Sequence, residues 1–256
     1  MNMKTLFLAV TIVSLAVPLT AEAQFGPAPS GPAGPAKKIA PIDLTGYWVS
    51  IVTEDWRTRM FTPRKGDFPG IFLTPDAQKV AMAWDPAKDE AAGLQCKSYG
   101  GAAIMRVPTR LHITWKNDDT LRIDTDAGKQ TRLFQFADDA MPSKGDPTWQ
   151  GFSKAKWEFD LARGFGAPPK VMGGDLKVVT THMKPGYLRK NGVPYGANAV
   201  VTEYFDVFKE DDGTEYLVVE TTVVDPDNLR APFITSSNFK KQKNSKGWDP
   251  QPCTAQ

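Results

Sequence analysis

The sequence contains few cysteines and histidines and has almost no excess of positive charge. Its 256 residues include two cysteines and two histidines, too few for a recognisable zinc cluster. The formal net charge is only +2, so no broad basic face for nucleic acid is indicated. After the N-terminal segment, no apolar run approaches the ~20 residues that a membrane helix needs. We therefore expect no metal, no nucleic-acid partner and no membrane span in the mature chain.

The common motifs of catalysis are absent as well. The sequence has no Gly-x-Ser-x-Gly nucleophile elbow, no His-Glu-x-x-His helix and no phosphate-binding loop. These absences predict a protein that uses no cofactor. Any reaction would depend on acidic and basic side chains placed in a partly dry pocket.

The first 23 residues have the three-part pattern of a secretory signal peptide. Lys4 supplies a positive charge, residues 6–19 are mostly apolar, and Ala21-Glu22-Ala23 provides small residues for cleavage. We expect a mature chain that starts at Gln24 and is periplasmic or secreted, and no lipid-anchored form, because no cysteine stands at the cleavage point. Residues 24–41 are rich in Pro, Gly and Ala and are predicted to be a disordered or extended linker.

The two cysteines are the next feature of the mature chain. In an oxidising compartment an even pair of cysteines can form a disulfide. We predict a bridge between Cys96 and Cys253, which would tie the C-terminal tail to the body of the protein. The alternative is two unpaired thiols.

The folded domain is predicted to span residues 42–253 and to consist mainly of strands. One helix is predicted at residues 74–84, with Thr74 as its cap and Pro75 in its first turn. Sequential strands with short turns favour an all-β fold, a single antiparallel meander β-barrel, with a β-sandwich as the alternative. The predicted strands are residues 47–53, 110–115, 120–125, 130–136, 153–159, 176–183, 199–208, 215–224 and 233–240.

Residues Gly46, Tyr47 and Trp48 resemble the Gly-x-Trp start of lipocalin-type barrels. In those barrels the Trp closes one end beneath the first strand, and the resemblance implies that place for Trp48. A core Trp after a turn glycine is the alternative explanation.

A set of short landmarks is spread over residues 84–233. They are Trp84-Asp85-Pro86, Cys96, Met105-Arg106-Val107-Pro108, Arg132, Gly151-Phe152-Ser153, Trp157-Glu158, Asp175-Leu176-Lys177-Val178-Val179, Thr202-Glu203 and Asp225-Pro226. With these landmarks the chain resembles a widespread group of uncharacterised exported bacterial proteins. The resemblance implies export and a similar fold, and it carries no reaction. In that group a histidine often stands where this chain has Phe152, so no function of that histidine is implied here.

Charged side chains interrupt the apolar faces of three predicted strands. Glu203 is flanked by apolar residues on its own face, Arg132 shares a face with two phenylalanines, and His182 lies near a strand end. One interpretation is a structural ion pair between Glu203 and Arg132. The catalytic interpretation makes Glu203 a base and His182 an acid, with Arg132 and Tyr204 orienting a substrate.

We expect these groups to face an interior cavity of the barrel. Its predicted ligand-binding residues are Trp48, Phe134, Trp157, Glu158 and Phe205, with a rim position as the alternative for Glu158. The strand pattern and the absence of a catalytic motif favour a periplasmic or secreted barrel that binds a small apolar or aromatic molecule. The alternative is a cofactor-independent lyase, isomerase or hydratase that acts on a small hydrophobic substrate. The sequence does not indicate an oligomeric state.

Overall fold

A computed structural model describes residues 31–137, 146–162 and 170–255. The predicted signal peptide, its cleavage site and the first part of the predicted linker lie outside these residues. The α-helices are α1 (Ala36–Ile39), α2 (Trp56–Met60), α3 (Pro75–Ala83) and α4 (Pro86–Ala91), and two 3₁₀ helices span Gln95–Tyr99 and Ile104–Arg106. The strands are β1 (Gly46–Ile51), β2 (Arg110–Asn117), β3 (Thr120–Thr125), β4 (Ala127–Gly128), β5 (Thr131–Gln135), β6 (Phe152–Ala162), β7 (Lys170–Thr181), β8 (Gly186–Arg189), β9 (Val193–Tyr195), β10 (Val200–Lys209), β11 (Glu215–Val224), β12 (Phe233–Gln242) and β13 (Gln251–Pro252).

Nine of the strands form a closed barrel, in the order β1-β12-β11-β10-β7-β6-β5-β3-β2. These nine are the predicted strands, so the all-β barrel is confirmed. Neighbouring strands are antiparallel at every position except one, where β5 and β6 run parallel. A parallel pair needs a crossover connection, and here the chain between the two strands includes the undescribed residues 138–145. The sheet is therefore mixed, and the prediction of a purely antiparallel meander is wrong at this one pair.

Side chains of alternate residues fill the barrel interior. On β2, Leu111 and Ile113 are fully buried, whereas His112 between them lies on the outer face and stacks on Tyr47 with ring centroids 4.2 Å apart. This alternation follows from the two-residue period of a strand. Repeated around the barrel, it brings large apolar side chains from most strands into one cluster inside.

A second apolar cluster lies beside one end of the barrel and includes residues of α3, β8 and β9. The Thr74 hydroxyl accepts a hydrogen bond from the backbone N–H of Ala77 at 3.2 Å, so the predicted cap of this helix is confirmed. Ala77 and Ala81 are the buried residues of α3, whereas Val80 is half exposed. The strands β8 and β9 pair only with each other and form a separate hairpin beside this second cluster.

The end of the predicted linker packs against the barrel. The carbonyl oxygen of Ala36 accepts a hydrogen bond from Trp157 Nε1 at 2.8 Å, and the Ala36 N–H donates to Asp119 Oδ1 at 2.8 Å. Ala36 itself is buried and belongs to the interior cluster. The expectation of a tether is wrong for these residues, because their backbone groups find partners at the barrel end.

A disulfide joins Cys96 to Cys253, as predicted. Residues 251 and 252 also form a short parallel pair with β4, so the chain end is held by both a covalent and a backbone contact. Gln130 lies beside the bridge and donates from Nε2 to the carbonyl oxygen of Gly128. The C-terminal tail is therefore a fixed part of the fold.

Candidate functional site

Arg132 and Glu203 form an ion pair inside the barrel. Arg132 Nη1 lies 2.9 Å from Glu203 Oε1, and Nη2 lies 2.5 Å from Oε2. The side chains of both residues are completely buried. Thr180 accepts a further hydrogen bond from Arg132 at 3.2 Å. The guanidinium and the carboxylate therefore neutralise each other, which matches the structural interpretation of this pair.

The other two predicted catalytic residues do not join this pair. Strand β7 ends at Thr181, so His182 follows the strand with a left-handed backbone (φ 56°) and an exposed side chain. Tyr204 follows Glu203 directly, so it lies on the opposite, outer face of β10, where Lys177 sits 5.0 Å from its ring centroid. The prediction that Glu203, Arg132 and His182 face one interior cavity is therefore wrong for His182, and Tyr204 cannot orient a substrate beside the Arg132–Glu203 pair.

The predicted ligand-binding aromatic residues belong to the packed interior. Trp48 is fully buried and donates from Nε1 to the carbonyl oxygen of Leu44 at 2.9 Å. The rings of Phe134 and Phe205 meet edge to face, 5.3 Å apart, and both residues are fully buried. Trp157 is buried below α1. All four side chains pack into the same apolar cluster inside the barrel. Their assignment to an interior ligand cavity is therefore wrong.

Glu158 lies on the outer face of the barrel. Its carboxylate is 2.8 Å from Lys156 Nζ and 3.6 Å from Lys177 Nζ. The hydrogen bond from Lys156 is the main cause that lowers the pKa of Glu158. Glu158 is thus part of a surface ion-pair group, and its assignment to a ligand cavity is wrong.

A cavity of about 370 Å³ lies between α2, the 3₁₀ helices and strand β8. Such a volume is within the range of about 300–1,000 Å³ that is typical of small-molecule sites. Part of its wall is apolar, and part is formed by basic side chains. The apolar and aromatic part includes Met60, Phe61, Tyr99, Val107, Pro108 and Leu188.

Three arginines from three separate elements supply the basic part of the wall. Arg59 comes from α2, Arg106 ends the second 3₁₀ helix, and Arg189 ends β8. Their side chains are 1%, 7% and 1% exposed. Arg59 Nε donates to the carbonyl oxygen of Arg106 at 2.8 Å, which holds two of these elements together.

One carboxylate serves two of these arginines. Asp55 Oδ2 lies 3.0 Å from Arg106 Nη2 and 3.7 Å from Arg189 Nη2. Asp55 precedes α2 with a left-handed backbone (φ 50°), a conformation that aspartate tolerates better than most residues. Glu54 lies 3.4 Å from Arg59 Nη1.

Burial lowers the pKa of all three guanidinium groups. The pKa of Arg106 falls to about 10, first because of desolvation and then because of the neighbouring charge of Arg189. Desolvation is also the largest cause for Arg59 and for Arg189, and Asp55 opposes it in both. The arginines are therefore held in a place that disfavours their charge.

The aromatic ring of Phe233 lies under two of the arginines. The guanidinium carbons of Arg106 and Arg189 are 5.3 Å and 5.7 Å from its centroid. Such stacking favours a cation over an aromatic face. It orients both guanidinium groups without using their hydrogen-bond donors.

The sequence pattern does not predict this cavity. Arg106 belongs to one of the shared landmarks, and the apolar residues Ile104, Met105 and Val107 around it are a signal of a buried charge. Arg59 and Arg189 carry no such signal, because each comes from a short element that the strand pattern does not reveal. Their meeting depends on the closure of the barrel.

Among the described residues, no group of three or more His, Cys, Asp and Glu is arranged to hold a metal ion. The helices in the described part of the chain are all too short or too polar to cross a membrane. Comparison with protein-family models, with curated proteins and with solved structures found no match.

Proposed function

We propose that the protein is an exported barrel that binds a small apolar or aromatic molecule in the cavity at the barrel end. The observation that carries this proposal is the concave wall of about 370 Å³, in which apolar and aromatic side chains face basic ones. The barrel interior offers no comparable support, because its own aromatic side chains pack there. The predicted signal peptide supports export, and the disulfide fits an oxidising compartment.

Catalysis receives no comparable support. The predicted acid and base, His182 and Glu203, are separated, since one is exposed and the other is completely buried in an ion pair. A general acid and base must both reach the reacting groups. A binding protein is therefore the function that the geometry favours over a lyase, isomerase or hydratase.

The proposal is tested by NMR titration of the purified full chain with small aromatic compounds. Phe61 lines the cavity and is 66% exposed, so Phe61→Ala removes a contact surface with little effect on folding. We expect affinity to fall about 3- to 10-fold, as for the loss of one aromatic contact. Phe72 is 60% exposed and does not line the cavity, so Phe72→Ala is the matched control and should bind like the wild type. Equal affinity of the two variants, or no binding by the wild type, would contradict the proposal.

A further inference from the structure

We infer that the ligand of the end cavity carries an anionic group, a carboxylate or a phosphate, which the wall formed by Arg59, Arg106 and Arg189 binds. This inference rests on the proposed function, because it describes the molecule held in the same cavity. The basic side chains of the cavity indicate the charge of the ligand, which the apolar side chains alone do not.

The charge of the wall has one sign. Lys190 joins the three arginines in lining the cavity, whereas no aspartate or glutamate is among the described residues that line it. The two acidic partners, Asp55 and Glu54, have side chains that are 47% and 39% exposed, so each also contacts solvent. Of the residues that the structure describes, those that line the cavity thus present several positive charges and no acidic side chain to a ligand.

The buried guanidinium groups keep donors without a partner. Arg59 Nη2 and Arg189 Nε and Nη1 are inaccessible to solvent and make no hydrogen bond with any described residue. A buried donor without an acceptor is costly, and the cost is larger for a charged group. A bound anion would lower the cost of these buried charges through its own charge, and Arg106 and Lys190, the more accessible basic groups of the wall, would contact it.

The buried arginine in the barrel interior, whose Nε also lacks a partner, differs from the cavity arginines in its carboxylate. Arg132 has one carboxylate to itself, with two contacts of 2.9 Å and 2.5 Å to Glu203. In the end cavity a single oxygen of Asp55 is shared between Arg106 and Arg189. The end cavity is therefore short of negative charge, and a bound anion would balance it.

The experiment compares benzoate, its neutral analogue benzamide and inorganic phosphate by calorimetric titration of the full chain. We expect benzoate to bind at least about tenfold more tightly than benzamide, because a charge-assisted hydrogen bond is lost in the amide. Added salt should weaken the binding of benzoate more than that of benzamide.

Two arginines of the same helix provide the matched variants. Arg59→Gln should weaken benzoate about tenfold, whereas Arg57→Gln should change it less than about twofold. Arg57 is exposed, does not line the cavity and lies over the ring of Trp56 at 5.6 Å. Thermal melts accompany both variants, because Arg59 also bonds the Arg106 backbone. If Arg59→Gln does not fold, Lys190→Gln replaces it and should weaken benzoate about threefold.

The outcomes separate this inference from the proposed function. Equal binding of benzoate and benzamide, both weakened by Phe61→Ala, would overturn the anionic class and leave the proposed function intact. Binding of phosphate that depends on Arg59, with no binding of either aromatic compound, would support the anion site and overturn the proposed function. Failure of all three compounds to bind would overturn both.

Discussion

At the scale of single residues, the stability of the fold should be sensitive to replacement of either member of the ion pair inside the barrel. Glu203→Gln leaves the Arg132 guanidinium charged and without a carboxylate in a completely buried place. Removing one partner of such a pair typically costs about 3–5 kcal/mol, because the remaining charge stays desolvated. We expect a loss of that order in the free energy of unfolding, measured by urea denaturation at neutral pH.

Two control variants accompany Glu203→Gln, one on the surface and one at the interior pair. Asp76→Asn breaks a pair with Lys79 at 2.8 Å on the surface of α3, where both side chains are largely exposed, and should leave stability unchanged. Replacing both members of the interior pair, with Arg132→Met and Glu203→Leu, should recover much of the loss. A Glu203→Gln variant as stable as the wild type would show that the pair contributes nothing to the fold.

Asp175 provides a second prediction, on pH dependence. Burial raises its pKa above 3.8, and the nearby carboxylates of Glu158, Asp206 and Asp160 raise it further. Its Oδ1 is buried without a hydrogen-bond partner. Because the folded state holds this proton more tightly than the unfolded state, the stability contributed by Asp175 falls as the pH rises through the raised pKa.

Asp175→Asn should therefore raise the melting temperature at pH 7. The gain should shrink as the pH falls and vanish below pH 3.8, where the carboxyl is protonated in both states. Thermal melts across this range measure it, with Asp211→Asn in an exposed turn as the control. A gain that is independent of pH would mean that shape, and not charge, explains the effect.

At the scale of elements, the C-terminal tail is predicted to depend on its disulfide. The bridge between Cys96 and Cys253 closes a loop with a sequence separation of 157 residues. On the loop-entropy model such a bridge contributes about 5 kcal/mol. Replacing both cysteines with serine should lower the melting temperature clearly, and reduction of the wild type should have a similar effect.

Loss of the disulfide should also weaken ligand binding in the cavity. Tyr99 lines it, and the Tyr99 hydroxyl lies 3.2 Å from the hydroxyl of Thr254 in the tail. Release of the tail removes this contact, so ligand affinity should fall in the double serine variant at temperatures where it is still folded. Unchanged affinity would show that the tail does not support the wall.

Short elements mark the limit of what the sequence predicts. The nine barrel strands are long enough for alternating apolar and polar residues to reveal them, and helix α3 has a clear cap at Thr74. Helix α2 has five residues, and strands β8 and β9 have four and three. These elements are too short for a helical or strand period to be visible in the sequence. These short elements carry Arg59 and Arg189.

The candidate site was predicted in part for a related reason. The pairing of Arg132 with Glu203 follows from two charges on apolar faces, and that part of the prediction is confirmed. The pattern predicts a strand to residue 183 with His182 on the inner face, but β7 ends at Thr181 and the alternation stops there. An error of two residues in this strand end moves the His182 side chain from the interior to the surface.

At the scale of the whole molecule, the barrel supports the cavity instead of containing it. The barrel strands support α2, the second 3₁₀ helix and β8, and these three elements bring the arginines together. Residues of the cavity wall are far apart in the chain, from Thr58 to Lys190. A local pattern cannot reveal such a site, because only the closed barrel makes its parts neighbours.

The closure of the barrel has a consequence for how the protein is made. The first strand, β1, pairs with the last barrel strand, β12, and Tyr47 lies opposite Gln242. A chain that leaves the ribosome or crosses a membrane with its N-terminus first exposes β1 long before β12 arrives. Until then both edges of the sheet are open, and an open edge can pair with another copy of the chain. The yield of folded protein should therefore fall as the rate of synthesis rises, even though the finished barrel has no free edge.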